Sequence, residues 1–301
     1  MALSRLRNLL ADGVMLYALP AAIALLPWPL GFRLLRRLAR IESLYPLAVE
    51  PAWQAARQYL PDLDEREFKS RFRLLRLVDQ VDTYLTLLRS TRWWKRQIDA
   101  HGGWPAATAG RVFLTFHWGA GHWIWRGMHA HGFGAYFLAR RAAGRALGIT
   151  RLSHWYGSFR AWAIVRIGSR GPWFAGGSKE RLRDELRRGA SVVGMLDLCA
   201  AAGQRSIDLP LLDRRVRFPC GLAELAVQTG VPVTLFSAGL DPDSGRRQLW
   251  MENLPAGIAV EEVMARYAAH LQQRLRDAPQ FWQVWREAPA IFSEAPPVQA
   301  L

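Results

Sequence analysis

The most explicit chemistry in this chain lies in the stretch Arg111-Val-Phe-Leu-Thr-Phe-His117-Trp-Gly-Ala-Gly-His122-Trp-Ile-Trp. An apolar, β-prone run ends at His117, a glycine-containing turn follows, and an aromatic-rich helical segment starts after His122. A histidine held at a strand end beside a turn is placed to act as a general base, taking a proton from a hydroxyl. Backbone N–H groups of the Gly119–Gly121 turn could receive a developing oxyanion. The position five residues beyond the base, where an orienting partner would sit, holds His122 and not a carboxylate. On a continuous helix such residues diverge by about 140°, so the spacing is not that of a helical two-histidine metal site. A strand-to-helix break between them would let both side chains reach one cleft. The plain alternative for each is a structural histidine.

These residues need elements to hold them. Residues 1–100 read as mainly helical: an apolar run, then Pro51 to Tyr59, then Asp64 to Leu88, with apolar spacing near 3.6. His101-Gly-Gly-Trp-Pro105 breaks that pattern. Beyond it strands and helices alternate. Strands are expected at Val112–Phe116, Ala135–Leu138, Ser191–Leu196, Val231–Ala238 and Gln248–Met251. Helices are expected at Trp123–His131, Ala142–Tyr156, Ser178–Arg188, Cys220–Thr229 and Val260–Arg276. The alternation predicts an α/β fold: a central, mostly parallel mixed sheet flanked by helices.

The chain has 301 residues, half of them apolar, enough for a sizeable core. Its formal net charge is +15, from 37 Arg and 3 Lys against 25 acidic residues. That excess favours an anionic partner. No helix-turn-helix, zinc-finger or RNA-binding signature accompanies it, so nucleic acid is not the expected partner and an anionic membrane surface is. The 14 Trp suit a chain that meets lipid headgroups. Two cysteines, Cys199 and Cys220, make neither a disulfide framework nor a zinc pattern.

Gly13 to Phe32 is a run of 20 residues without charge. Its length could cross a bilayer, although Pro20, Pro27 and Pro29 weaken a straight helix. Arg33, Arg36, Arg37 and Arg40 follow it, as they would after an anchor retained on the cytoplasmic side. The run therefore reads as a membrane anchor or, alternatively, as an apolar hairpin buried in the globular domain. Phe32–Ile41 is a candidate basic amphipathic helix. The expected organisation is a membrane-associated helical segment over residues 1–45, an α/β domain over 46–292 and a flexible tail over 293–301.

Further blocks follow in order: Arg140-Arg141; Gly176-Gly-Ser-Lys179-Glu180 running to Gly189; Val192 to Asp197; Arg215-x-Arg217-x-Pro219-x-Gly221; and Thr229-Gly-Val-Pro-Val. With the strand–histidine turn, this ordered set resembles the lysophospholipid acyltransferase superfamily, and within it the bacterial late lipid A (lauroyl/myristoyl) acyltransferases, over roughly residues 1–290. The resemblance implies a membrane-associated enzyme on the cytoplasmic face of the inner membrane. It would move a fatty acyl chain from an acyl-carrier-protein or acyl-CoA thioester to a hydroxyl of a glycolipid or phospholipid, with no cofactor and no metal. It implies His117 as the base and places His122 where the family has an acidic partner. It also implies substrate-binding roles for Arg140, Arg141, Lys179, Asp197, Arg215, Arg217 and Gly221.

The sequence departs from the family pattern at His122 and in Asp197-Leu-Cys-Ala-Ala-Ala-Gly203. Four readings accommodate this. A carboxylate from elsewhere, Asp197 or Glu180, replaces the missing one. A His–His pair does the chemistry. The chain binds lipid or carrier protein without turnover. Or His117, His122 and Asp197 converge on a metal for hydrolysis.

Overall fold

The computed structural model describes residues 9–107, 110–139, 150–174, 179–200 and 203–293. Its centre is a seven-stranded sheet. In chain order the strands are β1 (Ile98–His101), β2 (Arg111–Thr115), β3 (Ala135–Ala139), β4 (Gly171–Phe174), β5 (Ser191–Met195), β8 (Val233–Leu240) and β9 (Arg247–Leu254). Their spatial order is β1-β9-β8-β2-β5-β3-β4. All neighbours pair in parallel except β8 with β9. β6 (Ser206–Leu211) and β7 (Arg214–Pro219) form a separate antiparallel hairpin.

The apolar runs that predict central strands become central strands. Every residue of β2 and of β8 is buried, as helices on both sheet faces require. The covering helices after β2 are α6 (Ile124–Ala130), α7 (Arg151–Arg166), α8 (Lys179–Arg187), α9 (Gly221–Thr229), α10 (Val260–Asp277) and α11 (Ala288–Ser293). α9 stops at Gly230, whose φ of +67° suits a residue without a Cβ. The helix expected over Ala142–Tyr156 is displaced: α7 runs Arg151–Arg166, capped by Thr150 Oγ1 accepting from the Ser153 N–H. Arg140, Arg141 and the rest of 140–149 lie outside the described residues.

Before the sheet come α1 (Leu19–Leu25), α2 (Trp28–Leu38), α3 (Pro46–Tyr59), α4 (Glu65–Leu88) and α5 (Thr91–Gln97). Asp64 caps α4, its carboxylate accepting from the Glu67 N–H at 2.6 Å. The 20-residue uncharged run does not form one helix. A helical stretch with π-type turns at Gly13–Ala18 leads into α1, which ends at Leu26-Pro27, where α2 begins. Among the described residues no helix is long and apolar enough to cross a membrane. Ile23, Trp28, Phe32 and Leu35 belong to the same core as the sheet, so this segment is built into the α/β unit. The apolar face of α2 is used there, which leaves Arg33, Arg36, Arg37 and Arg40 facing solvent.

Candidate active site

β2 and β5 are adjacent, parallel and in register, with Thr115 opposite Met195. Two residues further along each chain stand His117 and Asp197. The strand pairing therefore sets them side by side at the carboxyl ends of the strands, where open α/β sheets gather their functional groups. Tyr267 of α10 ties these ends together. Its hydroxyl donates to the Thr115 carbonyl at 2.9 Å and accepts from the Leu196 N–H at 3.1 Å. Burial first, then the Asp197 charge, pushes this phenol well above the ordinary tyrosine range, so it remains a donor.

The carboxylate beside His117 is that of Asp197. Oδ1 accepts from His117 Nδ1 at 2.8 Å, and Oδ2 accepts from the His117 backbone N–H at 2.8 Å. One carboxylate thus grips both the backbone and the ring of one residue. An ionised carboxylate only accepts, so the imidazole proton sits on Nδ1 and Nε2 carries the lone pair. The Asp197 side chain is fully enclosed while that of His117 is 31% exposed. This arrangement can take a proton from an acidic or polarised O–H and stabilise the resulting imidazolium.

The C-terminal segment closes over the turn. Trp118 pairs with Trp282 in an antiparallel bridge. Gln283 N–H donates to the His117 carbonyl at 2.7 Å, and its side-chain amide donates to the Gly119 carbonyl at 2.6 Å. The Gly119 N–H donates to the Phe281 carbonyl at 2.8 Å, so it does not serve an oxyanion. The N–H groups of Ala120 and Gly121 donate to no acceptor among the described residues, and Ala120 is wholly buried. Gly119 has φ of +80°, and a Cβ there would meet the Ala238 carbonyl at 2.0 Å, so this tight crossing requires glycine.

His122 turns toward α7. It is enclosed, and its Nε2 donates to the Arg160 carbonyl at 3.3 Å. Beside it Arg160 binds both oxygens of Asp79, at 2.5 and 3.1 Å. Burial, with Arg160 adding and Asp79 opposing, lowers the His122 pKa to about 4. The expected pairing of His122 with His117 is therefore replaced: the carboxylate on the base is Asp197, and His122 is a neutral core histidine. Asp197, expected as a substrate-binding residue, is buried and bonded to His117. Glu180, the other carboxylate considered, is exposed and pairs with Arg183.

The remaining expected binding residues are dispersed. Arg217 is engaged by Asp208 across the hairpin, at 2.7 and 3.0 Å. Arg215 faces solvent on β7, Lys179 is the exposed first residue of α8, and Gly221 opens α9. Among the described residues no group of three His, Cys, Asp or Glu is arranged to hold a metal ion; the convergence of His117, His122 and Asp197 on one ion is not seen. Neither cysteine forms a disulfide. Sequence reasoning missed Tyr267, Trp282 and Gln283. Only the density of tryptophan in Phe281-Trp-Gln-Val-Trp285 hinted at the last two.

The chain matches no protein-family model and no curated protein.

Proposed function

We propose that this protein is an O-acyltransferase working at a membrane surface, and that His117 and Asp197 are its catalytic pair. The observation that carries this reading is the buried Asp197 carboxylate bonded to His117 Nδ1 at the ends of two adjacent parallel strands. In the proposed reaction, Nε2 removes the proton of an acceptor hydroxyl, and the oxygen attacks the carbonyl of an acyl-carrier-protein or acyl-CoA thioester. The tetrahedral intermediate collapses, the C–S bond breaks, and the imidazolium returns its proton to the leaving thiolate. The ester product is an acylated glycolipid or phospholipid. Asp197 holds the ring and offsets its charge in the protonated state.

Membrane association rests on the surface rather than on a spanning helix. The outward face of residues 9–26 is apolar: Leu10, Val14, Ala18, Ala22 and Leu25 are exposed, Leu25 by 71%. The Tyr17 hydroxyl donates to the Leu152 carbonyl of α7, and on α7 Trp155 and Trp162 are 61% and 54% exposed. Residues 13–41 and 151–166 contain no acidic residue, while Arg33, Arg36, Arg37, Arg151 and Arg166 are exposed there. Exposed tryptophan, leucine and arginine together are the composition that suits an anionic headgroup layer, in keeping with the cytoplasmic leaflet of a bacterial inner membrane.

The decisive experiment is mass spectrometry of the lipids of a strain lacking this protein, complemented with the wild type or with His117→Ala. A lipid short of one acyl chain, restored only by the wild type, is the expected result. An unchanged lipid profile, together with no transfer from either thioester by the purified protein, would overturn the proposal.

A further inference from the structure

Among the described residues the Asp197 carboxylate accepts three hydrogen bonds, and two of the donors belong to His117. The third comes from elsewhere: Trp282 Nε1 donates to Oδ2 at 2.8 Å. We propose that Trp282 is a positioning residue for the base, its indole N–H anchoring the Asp197 carboxylate so that Oδ1 stays presented to His117 Nδ1. This deepens, and rests on, the reading of His117–Asp197 as the catalytic pair.

The geometry suits the task. Trp282 is fully buried, and its ring meets that of Trp285 edge-on at 4.7 Å between centroids. Its backbone bridges Trp118, and the next residue, Gln283, binds the carbonyls of His117 and Gly119. The indole is thereby referenced to the same turn that carries the base. The two His117 donors would move together with the residue they belong to. An anchor on a separate segment supplies a fixed direction that they cannot.

The chemistry is equally specific. An indole N–H donates and never accepts, and it keeps its proton throughout the working range. It can therefore act on Oδ2 only as a donor, as it does at 2.8 Å. With Oδ2 held by the indole, Oδ1 stays directed at Nδ1. Loss of the indole donor would concentrate the negative charge on the imidazole, and the imidazolium would be favoured more strongly.

The test replaces Trp282 by 3-benzothienylalanine, which keeps the shape of tryptophan and lacks only the N–H. The imidazole of His117 is titrated by NMR, assigned with His117→Gln. With the donor gone, its pKa is expected to rise by about 0.5 unit or more. kcat/KM for acyl transfer is expected to fall roughly tenfold, the weight of a hydrogen bond to a charged group. The fall should appear in kcat with KM unchanged, and the acid limb of the pH profile should shift with the imidazole. Trp282→Phe, which also lacks the donor, must move the titration in the same direction.

The same isostere at Trp285, whose Nε1 donates to the Pro279 carbonyl, is the control and should leave the titration in place. An unmoved His117 titration in the Trp282 isostere would overturn the proposal, as would an equal shift from the Trp285 isostere. The NMR readout needs no substrate. A shifted titration in a protein that transfers no acyl group would therefore sink the enzymatic reading and leave the Asp197 anchor standing.

Discussion

His117 sits at the end of β2 with a carboxylate on its Nδ1 and part of its ring open to solvent. Five residues on, His122 is enclosed against the Asp79–Arg160 pair, and its pKa is lowered to about 4. One residue type gives two different chemical groups. Beside Asp197 the ring is held through Nδ1 by a buried carboxylate. Beside Arg160, in an enclosed site, a proton on the ring is penalised, and the ring stays neutral across the physiological range. The contrast shows why a histidine pair at suggestive spacing says little until the charges around each ring are known.

The largest expected effects test the first half of that contrast. His117→Ala should lower acyl transfer by about 10³-fold or more, since the proton acceptor is gone. Asp197→Asn should cost roughly 10² to 10⁴-fold in kcat by offering the wrong tautomer, with the near-ultraviolet circular dichroism retained. Activity near wild type in Asp197→Asn would break the assignment of the carboxylate.

A smaller effect tests the second half. His122→Gln should leave kcat within a few-fold of wild type; a collapse in a folded variant would return His122 to the reaction. Its signature should be in stability instead. Burial lowers the native pKa values of His122 and His270 to about 4, against 6.5 for an ordinary imidazole. Their contribution is fully present above pH 6.5. As pH falls from 6.5 to 4, the unfolded chain takes up protons that the native state refuses, and stability drops by about 1.4 kcal/mol per pH unit for each ring. Denaturant unfolding between pH 7 and 4 should show this slope, reduced by one proton in His122→Gln.

The smallest effect concerns the tie beneath the base. Tyr267→Phe should cost about 1–3 kcal/mol of stability, because the buried Leu196 N–H and Thr115 carbonyl both lose their partner. Its effect on kcat should stay below that of Asp197→Asn, since β2 and β5 still pair.

Much of the scaffold was legible because it is local. The continuous apolar runs of β2, β5 and β8 can only be strands buried on both faces, and Asp64 and Gly230 mark helix ends by backbone chemistry. What escaped is equally physical. β1 and β4 are four-residue strands with too few positions to show a period. The β6–β7 hairpin turns through Leu212 and Asp213 at φ of +50° and +57°. Leucine does not advertise a left-handed turn; at Leu212 the tertiary structure assists, its N–H donating to Gln272 Oε1 at 3.0 Å. The uncharged N-terminal run has the length of a membrane span, but the break at Leu26-Pro27 and the burial of Ile23, Trp28 and Phe32 draw it into the core.

By itself the sequence determined that a histidine would end a buried strand of an α/β sheet, in a strongly cationic chain with an apolar N-terminal run. It could not determine the partner of that histidine. His122 is near along the chain and turns away; Asp197 is 80 residues distant and forms the bond. The choice belongs to the parallel register of β2 and β5, held by Tyr267 and closed by Trp282. Register is a property of two strands and of everything packed on them, and no local pattern encodes it.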